Sequence, residues 1–197
     1  MVTAEQIKKL RDMTGISMMQ CKKALEDAGG EIEGALVYLK KKGIEVAAKK
    51  SDRELNSGLI HAYIHSNGSV GAMVELNCET DFVARNDEFK ILAYDLVMHI
   101  AASNPIYLST ETIAENIKRE TKDMFAAEVG AMNKPGDIKE KILQGKIDSY
   151  LAERTLLNQP FVKNPDETVG ELIKSRIQKF GEKIEVRRFS RFSLLDK

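Results

Sequence analysis

The chain has 197 residues, and its 30 lysines and arginines are balanced by 30 aspartates and glutamates, so its formal net charge is zero. This balance argues against a dedicated nucleic-acid binder, which usually carries a basic excess. No stretch approaches the roughly 20 apolar residues that cross a bilayer, and no charged-then-apolar leader opens the sequence. Two cysteines are too few for a disulfide framework. We therefore expect a cytoplasmic protein that begins at or near Met1.

The first forty residues have the pattern of three short helices. Thr3 with Gln6, and Ser17 with Gln20, have the spacing of helix N-caps. Glycines follow each apolar stripe and mark the helix ends, and the third helix is predicted to close at Gly43. The apolar positions at helical spacing are Ile7, Leu10, Met18, Cys21, Ala24, Leu25, Ala28, Ile32, Ala35, Leu36 and Leu39.

A change of hydrophobic period marks a second region. Two β-rich runs, residues 59–65 and 70–76, flank the pair Asn67-Gly68. Asn-Gly between two such runs is the strongest short-range signal for a β-hairpin. The polar stretch that follows, residues 77–85, is predicted to be a turn.

The rest of the chain alternates helical patterns with one further strand. Helices are predicted after Asn86, from Thr110 to Gly130, from Ile138 to Leu157 and after Thr168, and a third strand at residues 183–189. The expected fold is α+β. Its expected domains are a three-helix N-terminal module with a charged linker, residues 1–52, and a core, residues 53–197, in which helices cover a small three-stranded antiparallel sheet.

Candidate catalytic and metal-binding groups are few. The sequence lacks the glycine-rich loop ending in Lys-Ser/Thr that binds nucleotide phosphates. His61 and His65 have the spacing of helical metal ligands, but on a strand they lie about 13 Å apart. Cys78 is a conceivable nucleophile beside them, although a buried structural thiol is expected. The basic run at residues 40–42 favours a solvated helix face over a phosphate contact. We expect no enzyme, no metal site and no cofactor.

Two adjacent methionines are harder to explain as scaffold. Met18 and Met19 lie at the start of a predicted helix, about 100° apart around its axis. At least one of them is therefore expected to be exposed, where a flexible thioether suits an adaptable contact surface. The alternative is that one of them fills a gap in the three-helix module.

The stretch from Cys78 to Asn86 also resists a plain structural explanation. It places Phe82 and Val83 among polar and charged side chains, between a strand and a capped helix. In one interpretation, either residue packs back on the following helix as a hydrophobic staple. In the other, Phe82 projects as a wedge that anchors an interface, and the carboxylate of Asp81 points at whatever the wedge enters.

Residues 80–86, Thr-Asp-Phe-Val-Ala-Arg-Asn, resemble the signature of the elongation factor Ts family, the nucleotide exchange factors of the GTPase Tu. Residues 11–25, 99–105 and 159–162 resemble further motifs of the same family, in the same order. The resemblance therefore covers nearly the whole chain.

This resemblance implies guanine nucleotide exchange without bond-making chemistry, and an N-terminal module of the ubiquitin-associated type. Both the module and the core would bind Tu. The module residues expected to face the nucleotide-binding domain of Tu are Met18, Met19 and Lys22. The core residues expected to contact Tu and dislocate its magnesium ion are Thr80, Asp81, Phe82 and Val83, of which Asp81 and Phe82 would enter between two helices of Tu.

The resemblance also bears on the oligomeric state. Longer family members carry two copies of the core unit, whereas this sequence has one. Similarity to short members implies that two chains form a homodimer and bind two Tu molecules. Candidates for the paired surface are residues 184–189 and 192–195. No cysteine follows Cys78, which excludes a disulfide across that surface.

Other classes of function stay open at this stage. A peptide-binding adaptor built on the N-terminal module predicts that residues 1–52 alone retain full partner affinity. An RNA- or ribosome-associated protein, using the basic linker with Arg187, Arg188 and Arg191, predicts steeply salt-dependent RNA binding. A hydrolase is the weakest alternative, because no nucleophile, base and orienting group can be assigned.

Overall fold

The structure, a computed structural model, describes residues 2–194. The chain divides into two compact units. Of the described residues, 2–61, 74–95 and 171–187 form the first unit, and 62–73, 96–170 and 188–194 form the second.

Helices dominate the described part of the chain. Between residues 2 and 194 the α-helices are α1 (Ala4–Thr14), α2 (Met18–Asp27), α3 (Ile32–Ala48), α4 (Asp81–Ala84), α5 (Asp87–Ser103), α6 (Glu115–Gly130), α7 (Gly136–Ala152) and α8 (Val169–Phe180). The strands in the same range are β1 (Ser57–Ile64), β2 (Val70–Cys78), β3 (Pro160–Phe161), β4 (Asn164–Thr168) and β5 (Ile184–Ser193). Strands β1, β2 and β5 form a three-stranded antiparallel sheet in that order, which confirms the predicted α+β fold.

The caps of the N-terminal helices form as predicted. The Thr3 hydroxyl accepts the Gln6 amide while the Gln6 side chain accepts the Thr3 amide, which completes a capping box. Gly15 ends α1 in the left-handed region at φ 67°, and Ser17 caps α2 by accepting the Gln20 amide. The three helices pack around a core of Leu10, Ile16, Cys21, Ala24, Leu25, Ala35 and Leu39.

The prediction that the third helix closes at Gly43 is wrong, because α3 continues to Ala48. Gly43 faces α8, where a Cβ would lie 3.2 Å from Gln178 Oε1 and 3.5 Å from the Lys174 carbonyl oxygen. The missing side chain thus allows a close approach of two helices. Glycine disfavours a helix interior by only about 1 kcal/mol relative to alanine, so it need not end α3.

The predicted hairpin is present between β1 and β2. The His65 amide donates to the Val70 carbonyl at 2.8 Å, and the Gly68 amide donates to the His65 carbonyl at 2.7 Å. Gly68 has a positive φ of 68°, which glycine adopts without steric cost. Strand β5 runs four residues beyond the predicted end at residue 189, to Ser193.

Residues 77–85 are more regular than the predicted polar turn. Strand β2 continues to Cys78, and Asp81–Ala84 forms the single helical turn α4. Helix α5 then begins as predicted, because the Asn86 side chain accepts the Glu88 amide at 2.9 Å. It ends before Asn104, whose φ of 47° is left-handed.

The second unit contains elements that the helical period did not predict. Helix α7 ends at Ala152 rather than at Leu157, because the Leu156 amide leaves the helix and donates to the Tyr107 carbonyl at 2.8 Å. The short strands β3 and β4 pair antiparallel, with Pro160 opposite Thr168. The segment predicted as one helix from Thr110 is a 3-10 turn followed by α6.

Candidate partner-binding site

The turn that carries Phe82 presents one side chain outward and its neighbour inward. Phe82 is 80% exposed, whereas Val83 is only 5% exposed and belongs to the core of the chain. Successive helical residues point about 100° apart, so the single turn α4 separates the two side chains. Val83 is therefore buried, as the staple interpretation requires, and Phe82 projects into solvent, as the wedge interpretation requires.

An exposed ion pair flanks Phe82. Arg85 Nη2 lies 3.0 Å from Asp81 Oδ2, one helical turn apart. Ion pairs this exposed contribute little to stability, because water screens both charges. The Asp81 carboxylate can therefore exchange Arg85 for another electropositive partner at small cost.

Glu79 and Glu182 are 103 residues apart in the chain, and each accepts hydrogen bonds from the residue that follows the other. The Glu182 carboxylate accepts the Thr80 hydroxyl at 2.6 Å and the Thr80 amide at 3.0 Å. The Glu79 carboxylate in turn accepts the Lys183 amide at 2.5 Å. We call these four residues (Glu79, Thr80, Glu182 and Lys183) the reciprocal clasp, and residues 80–85 the Phe82 turn. The Thr80 hydroxyl also accepts the Val83 amide, so the clasp leads directly into α4.

The segment after α3 is tied to the same clasp. Arg53 Nη1 lies 3.0 Å from Glu79 Oε2, and Lys183 Nζ donates to the Ser51 carbonyl at 2.7 Å. Burial works to raise the pKa of Glu79, but hydrogen bonds from the Lys183 amide and from Arg53 outweigh it, so the pKa lies below its usual value. Glu79 is thus held as a carboxylate, the form that accepts both donors.

The methionine pair lies on the surface of the N-terminal module. Met19 is 81% exposed and Met18 is 47% exposed. Neither belongs to the buried core of the module, so the gap-filling alternative does not describe them. Lys22, one turn further along α2, is exposed and lies 3.8 Å from Glu26. The three side chains are therefore accessible.

Helix α8 links the module to the start of α5 within the first unit. Gln178 Nε2 donates to Gln20 Oε1 at 3.4 Å. Lys179 reaches over Gly15, where a Cβ would lie 2.5 Å from its Nζ, and pairs with Glu88 at 2.7 Å. The module therefore rests on the helix that leads directly to Glu182 of the reciprocal clasp.

The histidines of the hairpin are not arranged as metal ligands. His61 packs edge-on against Tyr94, with 5.7 Å between ring centroids, and His65 Nδ1 lies 3.0 Å from the Tyr63 hydroxyl. Within residues 2–194 no group of three or more His, Cys, Asp or Glu side chains could hold a metal ion.

Cys78 is buried, and its thiol is poorly ionised. Burial raises the pKa of its thiol to about 11, and the negative charge of Glu182 adds to that effect. Its Sγ donates to the Thr80 carbonyl at 3.1 Å. Since the thiolate is the nucleophile, Cys78 serves as packing beneath the Phe82 turn. The buried Cys21 thiol also has a raised pKa, again because of desolvation.

The motif residues around His99 form a buried polar centre in the second unit. The Val162 amide donates to His99 Nδ1 at 3.2 Å, so Nε2 carries the proton and donates to Gln159 Oε1 at 3.0 Å. Gln159 Nε2 donates to the carbonyls of Ser103 at 3.2 Å and Glu153 at 2.6 Å. Desolvation lowers the pKa of His99, which keeps it neutral. This centre is structural.

Two lysines of the predicted basic run form ion pairs, one of them with a glutamate of α8. Lys40 pairs with Glu171 at 2.9 Å, and Lys42 pairs with Glu45 at 2.7 Å. Paired lysines offer a weaker field to phosphates than free ones. The solvated-face interpretation therefore fits these residues.

An apolar groove lies in the second unit beside the end of β5. It encloses about 390 Å³, and its most exposed apolar lining residues are Ile64, Met73, Phe192 and Leu194. Leu195, the last residue of the segment predicted to pair with a second chain, lies outside the described residues.

Comparison with known proteins gives a consistent result. A family model described as elongation factor TS matches residues 43–194. The chain is 47% identical over 193 residues to elongation factor Ts of Thermodesulfovibrio yellowstonii, covering 98% of this chain and 96% of that protein. It is 47% identical to elongation factor Ts of Heliobacterium modesticaldum, covering 98% and 90%, and 44% identical to that of Carboxydothermus hydrogenoformans, covering 98% and 89%. No helix among residues 2–194 has the length and apolarity needed to span a membrane.

Proposed function

The chain belongs to the elongation factor Ts family, and we propose on that premise that it is a guanine nucleotide exchange factor for the translation elongation GTPase Tu. It binds Tu in the GDP-bound form, disturbs the magnesium and phosphate site, and promotes GDP release in the cytoplasm. The factor itself makes and breaks no covalent bond. It must bind nucleotide-free Tu more tightly than Tu-GDP, because thermodynamic linkage then weakens GDP binding by the same factor.

The exposure of Phe82 is the observation that carries this proposal. An aromatic side chain that is 80% exposed at the tip of a capped turn has nearly all of its surface left to bury. Complete burial of such a side chain contributes roughly 1.5–3 kcal/mol. That energy corresponds to about a ten- to hundredfold shift in an equilibrium, so Phe82 supplies part of the energy for exchange and the rest comes from other contacts.

The charge beside Phe82 has a role of its own. Asp81 is delivered to the partner together with Phe82, and it can leave Arg85 at little cost because their pair is exposed. A magnesium ion is one of the largest local charges in a nucleotide site, so rearranging the groups around it weakens GDP binding efficiently. Thr80 and Val83, the other two residues assigned to this contact, support it from within, as cap and as core residue.

The N-terminal module provides the second contact. Met18, Met19 and Lys22 are accessible on α2 and face the nucleotide-binding domain of Tu in this proposal. Their binding energy adds to that of Phe82 and fixes the direction from which the Phe82 turn approaches. A hydrogen bond from Gln178 to Gln20 joins the module to α8, which supports a fixed placement of the module's surface.

Two chains act together in this proposal, as a homodimer that binds two Tu molecules. The apolar groove bounded by Ile64, Met73, Phe192 and Leu194 supports pairing with a second copy, because these exposed apolar side chains surround one groove beside the end of β5. Light scattering on Phe192→Glu is expected to report a monomer where the unmodified chain is a dimer. A monomeric unmodified chain, or a dimer that persists in the variant, would exclude this surface.

The exchange proposal is tested by stopped-flow release of a fluorescent GDP analogue from Tu. Phe82→Ala is expected to slow catalysed release by about ten- to hundredfold, the loss of its burial energy. Met124→Ala is the matched control, because Met124 is also an exposed apolar residue but lies on α6, outside the proposed contacts. Equal release rates for Phe82→Ala and the unmodified factor would reject the proposal.

A further inference from the structure

We propose that Glu182 is a positioning residue for nucleotide exchange, which holds the Phe82 turn in a single orientation through its bonds to Thr80. Its effect on exchange rests on the proposed function, whereas its effect on the order of the turn in the free protein does not. Glu182 is not part of the seven-residue signature at 80–86, and only the fold brings it there.

The turn needs such a support because it is short. Helix α4 has four residues, and an isolated helical turn is unstable in water because nucleation costs more than one hydrogen bond returns. The Glu182 carboxylate accepts both donors of Thr80, at 2.6 Å and 3.0 Å. Hydrogen bonds to an ionised acceptor are stronger than neutral ones. The residue that caps α4 is thereby fixed from outside the turn.

Three hydrogen bonds hold the two chain neighbours of Glu182 in place. Gly181, at φ 71°, ends α8, and its amide donates to the Ile177 carbonyl at 2.9 Å. Lys50 Nζ donates to the Gly181 carbonyl at 2.6 Å, and the Lys183 amide donates to Glu79. The residues on both sides of Glu182 are therefore anchored, so its carboxylate approaches Thr80 from a fixed backbone.

An ordered turn matters for binding because ordering has a free-energy cost. If the turn sampled several conformations, the apparent affinity for Tu would fall by the fraction of molecules with Phe82 correctly placed. The reciprocal clasp removes that cost before the encounter. It explains how an almost fully exposed side chain can act as an anchor rather than as a mobile residue.

The first test measures the order of the turn in the free, full-length factor. The chain contains no tryptophan, so Phe82→Trp introduces a single reporter at the tip of the turn. Glu182→Gln replaces one acceptor oxygen by an amide group that cannot accept, and it is expected to lower the residual fluorescence anisotropy of Trp at position 82. Glu185→Gln removes the same charge three residues later, from an exposed partner of Lys183, and is expected to leave the anisotropy unchanged.

Variants of Thr80 show whether Glu182 acts through that residue. Thr80→Val removes the hydroxyl at nearly constant volume and is expected to lower the anisotropy. Thr80→Ser keeps the hydroxyl and is expected to leave the anisotropy at the level of the unsubstituted Thr80. In the double variant with Glu182→Gln and Thr80→Val, the anisotropy is expected to fall by less than the sum of the two single decreases, because the two residues belong to one hydrogen-bond network. Additive losses, or an anisotropy that Glu182→Gln leaves unchanged, would overturn the positioning role.

The second test measures exchange with Phe82 retained. Glu182→Gln is expected to reduce GDP release at subsaturating factor by about tenfold, the equivalent of one hydrogen bond to a charged group, while its circular dichroism spectrum stays that of the folded chain. If Phe82→Ala slows GDP release but Glu182→Gln releases GDP at the normal rate, the inference is overturned. If Phe82→Ala itself exchanges normally, the proposed function fails, and the anisotropy alone decides whether Glu182 orders the turn.

Discussion

The Phe82 turn and the His99 centre both lie in motifs that resemble the same family, yet they use their distinctive side chains in opposite ways. At the turn, the aromatic ring points into solvent and its inward neighbour Val83 belongs to the core. At the His99 centre, the imidazole is fully buried and both ring nitrogens are hydrogen-bonded within the chain. A motif can therefore mark either a contact surface or a structural necessity, and burial separates the two.

The physical difference is where each polar group finds its partners. His99 and Gln159 satisfy each other and nearby backbone groups, so a partner could reach them only by opening the unit. Phe82 is 80% exposed, and the ion pair that Asp81 beside it forms with Arg85 is screened by water. Substitutions in the His99 centre should therefore change stability, and substitutions in the Phe82 turn should change binding.

The largest expected effect on stability follows from removing the hub of the His99 centre. Gln159→Leu would leave His99 Nε2 and the carbonyls of Ser103 and Glu153 without partners. Buried unsatisfied polar groups cost about 1–3 kcal/mol each, so urea unfolding should show a loss of about 3–5 kcal/mol. Gln144→Leu, on an exposed face of α7, is the matched control. A similar stability for both variants would contradict the structural role of the centre.

Substitutions of the neighbours Val83 and Phe82 should have opposite profiles: the first should affect mainly stability and the second mainly nucleotide exchange. Val83→Ala removes buried methyl groups and should lower the free energy of unfolding by about 2 kcal/mol. Phe82→Ala should change it by less than about 0.5 kcal/mol, as exposed substitutions usually do, while slowing exchange far more. Denaturant titrations beside release assays check both quantities. A strongly destabilised Phe82→Ala would show that the ring packs on its own chain.

The pH dependence of stability should report on the His99 centre. Burial depresses the pKa of His99 below the 6.5 of an exposed imidazole, so the unfolded chain binds the proton more readily. Stability is then greatest above pH 6.5 and falls as the pH drops toward the folded-state pKa, by at most about 1.4 kcal/mol per pH unit. Melting between pH 7.5 and 5.5 should show this slope, and His99→Gln should remove it. A slope that persists in the variant would assign it to other groups.

The smallest signal is the labelling of Cys78 beneath the Phe82 turn. With a thiol pKa of about 11, only about one molecule in a thousand is a thiolate at pH 8. In a Cys21→Ala background, reaction with a thiol reagent should be at least about a hundredfold slower in the native than in the unfolded protein. Rapid native labelling would show that the turn opens frequently, which is incompatible with an ordered Phe82 turn.

Local sequence signals were sufficient for most elements of the fold. The caps at Thr3, Ser17 and Asn86 and the Asn67-Gly68 hairpin depend on neighbours within a few residues, and each forms as predicted. Gly43 misled the prediction because a glycine that ends a helix and one that allows a second helix to approach look alike in sequence. Strand β3 was missed because two residues are too short to show a period.

The candidate site was only partly predictable for the same reason. An aromatic beside an acid between a strand and a cap was enough to identify Phe82 and Asp81 as candidates, but periodicity could not decide between Phe82 and Val83 as the exposed side chain. The bonds from Glu182 to Thr80 join residues 102 positions apart. No local pattern indicates such a contact, because Thr80 follows β2 and Glu182 follows α8, and only the tertiary fold brings these two positions together.

The most direct test of the central claim is the environment of residue 82 in the complex with Tu. Fluorotryptophan incorporated into Phe82→Trp gives one fluorine resonance, since the chain has no other tryptophan. On addition of nucleotide-free Tu, this resonance should shift and lose its dependence on the H₂O/D₂O ratio, because the ring becomes buried in the partner. A resonance that keeps its full solvent dependence while the complex forms would contradict the account.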